Sequence, residues 1–301
     1  MLPLYLEKLT PVDLKYKFEK LLELQKECRI CPRQCLARRH EGEIGECRST
    51  DELVISSVNP HFGEEPPLVG THGSGTIFFT NCNLKCEFCQ NYDISQLGSG
   101  SIISVKQLAE AMLKLQRMGC HNINFVTPTH FTPQIANALL LAIENGLEVP
   151  LVYNCGGYES VETLKLLDGI IDIYMPDIKY SDSNLAQKYS GISDYWEVVK
   201  LAIKEMHIQV GDLRISKRGI AQRGLLIRHL ILSEGISGSE KVIDFIADEI
   251  STDTYVNIMD QYHPAYKAFE YKELNRRITN DEFLQVVRYA ENKGLHRGFC
   301  I

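Results

Sequence analysis

With 301 residues, 44% of them hydrophobic and 24% charged, the chain has an ordinary globular composition that excludes a disordered protein and can bury a large core. Its formal net charge of −7 argues against a nonspecific nucleic-acid binder. The opening MLPLYLEKLTPVDLKYKFEK carries charges and prolines where a signal peptide has an unbroken apolar run, and no later stretch reaches the length of a membrane span. A cytoplasmic location away from membranes is expected, with the 10 cysteines reduced or metal-bound rather than paired.

Over residues 11–27, Val12, Leu14, Phe18, Leu21, Leu22 and Leu24 recur at helical intervals behind Pro11, which predicts a short amphipathic helix. It leads into CRICPRQCLARRHEGEIGEC, where Cys28, Cys31 and Cys35 are followed by an 11-residue loop and Cys47. Four thiols in one loop can close a tetrahedral centre, either structural zinc or a second iron–sulfur cluster. The neighbouring Arg29, Arg33, Arg38 and Arg39 read as a solvated basic face or a docking site for an acidic partner.

A polar, proline-rich connection over 59–75 follows, and then the pattern changes to short apolar runs alternating with helix-like segments. Strands are expected at 76–80, 123–127, 150–154, 171–175, 225–232 and 254–258, with helices near 104–118, 133–145, 160–168, 182–206, 238–250 and 281–293. The segment before the fifth strand, with Gly211 and Gly219, is expected to form a loop or small hairpin. Continuous runs such as IIDIYM suit strands buried on both faces of a parallel sheet, whose ligands gather at the carboxyl ends of the strands. The expected fold is α/β: a partial (β/α)6 TIM-type barrel over 71–301, preceded by an N-terminal helix and a four-cysteine metal-binding extension over 1–70.

Just after the first of these strands comes TNCNLKCEFCQNYD, with Cys82, Cys86 and Cys89 spaced CxxxCxxC. Three thiolates can ligate three irons of a cubane cluster and leave the fourth open for reaction. A zinc knuckle is the bland alternative, but it lacks an obvious fourth local ligand. The stretch resembles the signature of the radical S-adenosylmethionine (SAM) superfamily, in which an aromatic residue, here Phe88, precedes the third cysteine. That resemblance implies a [4Fe–4S] cluster whose open iron chelates SAM. Reductive cleavage would then yield methionine and a 5′-deoxyadenosyl radical that abstracts hydrogen from a substrate. The electron would come from a donor such as ferredoxin or flavodoxin.

The likeness extends along most of the chain. CRICPRQC with the later GEC, EEPPLVGTHGSGTIFFTNCNLKCEFCQNYDIS, INFVTPTHFTPQI and RGLLIRHLIL resemble homologues of the pyruvate formate-lyase activating enzyme. This implies cofactor-binding roles for several residues. MPDIKY supplies Asp177 and Lys179, which share one face of an extended chain; a surface ion pair is the plain alternative. LLIRHLIL supplies Arg228, with His229 expected to face the other way and be packed, and NIMDQYHPAY supplies His263. Where the activases carry a GGE-like element this chain has VTPTHFTP, so Thr127, Thr129 and His130 stand at the matching place, His130 equally as a helix-entry residue. Asn154 in NCGGYE is a further cofactor-contact candidate, and Gly156 and Gly157 permit close backbone approach or a simple turn. Cys120, Cys155 and Cys300 read as small buried hydrophobes.

The leading reading is therefore a radical SAM oxidoreductase that activates a glycyl radical enzyme or modifies another protein, peptide or small molecule. A second reading is a metal-dependent binding or assembly protein on the same barrel, without turnover. An RNA-modifying enzyme would want a basic appendage that the chain does not display.

Overall fold

The structure is a computed structural model and describes residues 1–299. Strands β1 (Val54–His61), β2 (Ser74–Phe79), β3 (Ser101–Ile102), β4 (Ile123–Val126), β5 (Leu151–Cys155), β6 (Ile173–Ile178), β7 (Arg214–Ile215), β8 (Ala221–Leu230) and β9 (Tyr255–Met259) form one sheet. Its order is β3-β1-β2-β4-β5-β6-β8-β7, with β9 also on β8. From β2 through β4, β5, β6 and β8 to β9 every pairing is parallel. These are the six strands expected from the sequence. The segment before β8 forms the antiparallel β7–β8 pairing, the small hairpin foreseen there.

The helices are α1 (Leu4–Glu7), α2 (Pro11–Lys26), α3 (Pro66–Val69), α4 (Tyr92–Ser95), α5 (Val105–Arg117), α6 (Thr132–Glu144), α7 (Val161–Leu167), α8 (Ser183–Ser190), α9 (Tyr195–Val210), α10 (Ser239–Phe245) and α11 (Asn280–Asn292). Capping boxes fix three of the longer starts, Thr10 with Asp13 on α2, Ser104 with Gln107 on α5 and Thr279 with Glu282 on α11. The single helix expected over 182–206 is instead two. Asp182 caps α8, and Gly191 ends it in the left-handed region at φ 67°, so the chain turns before α9 begins. In α2, Leu14, Leu21 and Leu24 are buried as expected, whereas Val12 and Leu22 face solvent.

The connection expected over 59–75 begins as sheet. β1 pairs antiparallel with β2, from Ile55 opposite Phe79 to His61 opposite Ser74. Its residues show no clean alternation of burial, so periodicity gave no signal; the free edge of β2 needs hydrogen-bond partners, and β1 supplies them.

Side chains on the parallel strands divide between two layers. Val152, Ile173, Met175 and Leu226 pack with Leu68 of α3 in one cluster, while Tyr153, Tyr174 and Ile227 point into the larger core beneath the helices. The N-terminal helix is bolted to this body by Asp172, whose buried carboxylate accepts the backbone N–H of Leu4 at 2.7 Å and of Leu151 at 2.9 Å. Among the described residues no helix is long and apolar enough to cross a membrane.

Candidate active site

β2 delivers the chain to the carboxyl edge of the sheet, where Asn81 at φ 65° turns it into the cysteine loop. The loop is then pinned from several sides. Lys85 and Glu87 donate backbone N–H bonds to Ser190 and Tyr189 at 3.1 and 2.8 Å, and the Asn83 amide donates to the Tyr158 carbonyl at 2.8 Å. Phe88 is the buried wedge, edge-on to Tyr180 and Tyr262 at 6.2 and 6.1 Å between ring centres.

Cys82, Cys86 and Cys89 line one open cleft of about 230 Å³ together with Thr127, Asn154, Asp177, Lys179 and Arg228. The Ser190 hydroxyl donates to Cys86 Sγ at 3.0 Å, the Leu84 N–H to Cys82 Sγ at 3.4 Å, and Ser95 Oγ lies 3.0 Å from Cys89 Sγ. Burial pushes the Cys82 thiol up to about 12 and the Cys86 thiol up to about 11, so both need a strong local positive charge to become thiolates. Among the described residues no three His, Cys, Asp or Glu side chains are gathered tightly enough to grip one ion. The cleft's donor set fits a larger group: cluster cysteines each take a different iron, and hydrogen bonds to sulfur are part of how such clusters are tuned.

Across the cleft, Lys179 Nζ meets Asp177 Oδ2 at 2.6 Å, and Arg228 Nε donates to Asp177 Oδ1 at 2.8 Å while its Nη2 donates to Asn154 Oδ1 at 2.8 Å. The Asp177 and Lys179 side chains are each 15% exposed, which removes the surface-pair alternative. Burial alone would raise the Asp177 carboxyl, yet Arg228 and Lys179 hold it below the usual carboxylate range. His229 points the other way, as expected, and is fully buried between the Ile178 carbonyl and Ser239 Oγ.

The VTPTH segment divides its polar groups. Thr127, at φ 57°, reaches the cleft, whereas Thr129 turns inward and donates to Glu159 Oε1 at 2.7 Å. His130 is buried at the entry to α6, with Nε2 2.8 Å from the Thr80 carbonyl; burial lowers it to about 3 and keeps it neutral. Gly157 explains its glycine pair, since at φ 78° a Cβ there would stand 2.3 Å from the Asp177 carbonyl. Cys120 and Cys155 are buried as expected, and Cys300 lies outside the described residues.

His263 sits at the rim, its Nδ1 3.1 Å from Gln90 Nε2. There the segment following β9 is tied to the cysteine loop again by the stacked Tyr92 and Tyr266, 5.2 Å apart, and by a Lys267–Glu87 ion pair at 3.5 Å. Sequence reasoning missed Gln90, Gln96 and Gln261, which line the cleft, because isolated glutamines carry no pattern. Glu64 and Glu65 were also missed. They approach Arg228 Nη1 at 3.6 and 3.9 Å from the loop before α3.

The four N-terminal cysteines lie apart from the cleft. Cys35 and Cys47 converge on Gly45, whose Cβ position would stand 3.3 and 3.6 Å from their sulfurs. Arg39 beside them is fully buried, donating to the Thr50 carbonyl at 2.6 and 3.0 Å and the His130 carbonyl at 2.8 Å, with Cys28 Sγ at 3.9 Å.

Glu159 is buried and also accepts the Tyr153 hydroxyl at 2.9 Å. Burial raises Glu159, Asp172 and Glu64 each to about 7. A carboxyl raised on folding contributes stability that is fully present below its unfolded value of about 4 and is lost as pH rises through 7, on the order of 3 kcal/mol for one group. The thermal midpoint is therefore expected to fall between roughly pH 5 and pH 8, and Glu159→Gln is expected to flatten the decline. A midpoint that rises over this range, or an equally steep variant, would contradict the assignment.

The family model described as the radical SAM superfamily matches residues 76–213, which span the cysteine loop, Asn154, Asp177 and Lys179. The uncharacterized protein MJ0674 of Methanocaldococcus jannaschii is 34% identical over 94% of this chain and 82% of its own length. The uncharacterized protein MJ0808 of the same organism is 26% identical over 93% and 85%. Among solved structures, Streptococcus suis SuiB bound to precursor peptide SuiA superposes with a TM-score of 0.49 at 14% identity, covering 72% of this chain and 46% of that one. TYW1 with a lysine-pyruvate adduct bound gives 0.45 at 12% identity, covering 72% and 73%. The chain thus spans about half of the SuiB chain. Residues 76–213 match the radical SAM superfamily, whose members use a [4Fe–4S] cluster and SAM.

Proposed function

We propose that Cys82, Cys86 and Cys89 hold the [4Fe–4S] cluster and that Asn154, Asp177, Lys179, Arg228 and the Thr127 segment bind and orient SAM beside it. The observation that carries this reading is that one cleft at the carboxyl ends of the strands collects all three thiols and the buried ion network. When bound, cluster and SAM supply reductive C–S cleavage and a 5′-deoxyadenosyl radical for hydrogen abstraction. The chain's own part is to position them and keep water out. Lys179 presents a fixed cation at the cleft wall, Asn154 fixes the Arg228 fork, and Thr129 and His263 act indirectly, through Glu159 and Gln90.

The body over 71–301 is read as a partial (β/α)6 barrel, and 1–70 as a metal-binding extension whose Cys28, Cys31, Cys35 and Cys47, no three of which are gathered on one point in this structure, would draw together on zinc or a second cluster. Arg39 supports that second centre, because a fully buried guanidinium bonded mainly to backbone carbonyls calls for a negative partner, which metal-bound thiolates would provide. The substrate class extends from a glycyl radical enzyme, as in the activases, to another protein, peptide or small molecule. The setting is cytoplasmic, with ferredoxin or flavodoxin as reductant. The test is anaerobic reconstitution with iron and sulfide followed by SAM and dithionite. 5′-Deoxyadenosine is the expected product, and a spectroscopically intact cluster that yields none, alone or with cell extract as substrate source, would count against an enzyme and for an assembly protein.

A further inference from the structure

Asp177, Lys179 and Arg228 line the cleft, and two further charged groups stand behind Arg228. Arg228 of β8 binds Asp177 of β6, which also binds Lys179, and the outer face of the guanidinium looks onto Glu64 and Glu65. The two glutamates come from the loop between β1 and α3, which passes under the site to the last strand, where Asn257 of β9 donates to Glu65 Oε1 at 3.0 Å. The side-chain amide of Asn124 of β4 also acts on Glu64. The side chains of Glu64 and Glu65 are 7% and 5% exposed, and Glu65 Oε2 is buried with no hydrogen-bond partner among the described residues.

Counted with every group ionised, three carboxylates face two cations, leaving one negative charge in excess. Buried uncompensated charge is costly, so the excess must be met by a proton or by a positive charge on whatever enters the cleft. In the unliganded protein the proton serves, since burial raises the Glu64 carboxyl to about 7. A sulfonium is different in kind, because its charge cannot be relieved by losing a proton.

Resting on the reading of this cleft as a SAM site, we propose that Glu64 is the counter-charge for the sulfonium: it holds a proton in the unliganded protein and releases it when a fixed cation enters beside Asp177 and Arg228. Glu65, held by Asn257, keeps the guanidinium in place. Affinity for SAM then rises with pH through neutrality, and affinity for its thioether analogue does not follow.

Calorimetric titration of the reconstituted enzyme near pH 7, in buffers of different ionisation enthalpy, counts the protons directly. SAM is expected to release about half a proton more than S-adenosylhomocysteine. The two ligands share their amino acid and adenosine groups, so the difference isolates the sulfonium. Glu64→Gln is expected to abolish that difference and weaken SAM several-fold while leaving S-adenosylhomocysteine unchanged, with Glu64→Asp restoring the release. Equal proton counts for the two ligands in the unmodified protein, a comparison that needs no variant to fold, would overturn the proposal. An undiminished difference in Glu64→Gln would do the same. Failure of both ligands to bind would instead overturn the reading of the cleft itself, and the proposal with it.

Discussion

Cys86→Ala is expected to lose the iron and the visible absorbance of the cleft cluster on anaerobic reconstitution, together with all formation of 5′-deoxyadenosine. The loss should be complete rather than graded, because the loop brings three cysteines and Cys155, the fourth thiol lining the cleft, lies outside the loop at the end of β5, where burial raises it well above its ordinary value and opposes thiolate formation. Cys86 is also the best buried of the three, and Ser190 holds its sulfur toward the cleft. Cys120→Ala is the matched control, since Cys120 is a buried thiol far along the chain with no place in the cleft lining. Iron content and visible spectrum decide the matter independently of turnover. A Cys86→Ala protein that retains full iron and cofactor cleavage would remove the cluster assignment.

Asp177→Asn is expected to be the most damaging change in the cleft that spares the cysteines. The carboxylate stands between Lys179 and Arg228, each in direct contact and each largely out of solvent. Asparagine keeps the shape but leaves two cations facing one neutral oxygen, with Glu64 and Glu65 as the remaining negative groups at longer range. Breaking a buried pair in this way costs about 3–5 kcal/mol, most of it the penalty for the charges left behind. Denaturant titration followed by circular dichroism measures the cost. Adding Lys179→Met to Asp177→Asn should recover part of it, because the ammonium paired with Asp177 is then gone while Arg228 keeps Glu64 and Glu65. Equal stabilities for Asp177→Asn and the native chain would show that the network is solvated enough to be dispensable.

Much of the site was readable in the sequence for a simple reason: its members are fixed by local rules. Cysteine spacing is covalent, and Asp177 and Lys179 share a face because alternate residues of an extended chain must. His229 was placed correctly by the same alternation. The parallel strands were legible because both faces of each are buried, which writes them as continuous apolar runs. What the chain concealed depends on distance in space. Glu64 and Glu65, next to two prolines, belong to no motif, and only the fold brings them to Arg228. Thr129 was placed among the cofactor contacts by its position after β4, but nothing local announces that Glu159, thirty residues on, needs its hydroxyl. β1 lacked a period because its stabilisation comes from the edge it covers.

The ties between the cysteine loop and the segment after β9 also set an order of events during synthesis. Gln90 and His263 are separated by 173 residues, and Tyr92 and Lys267 make their neighbouring contacts across similar spans. A ribosome that has just released the cysteine loop has therefore made a binding segment whose rim does not yet exist. Contacts this distant in sequence form late in folding. The loop thus remains open to solvent while the intervening strands are added, and the rim closes over it only when residues 261–267 arrive. Iron delivered to the nascent chain would meet exposed thiols; iron delivered afterwards must pass through the finished mouth.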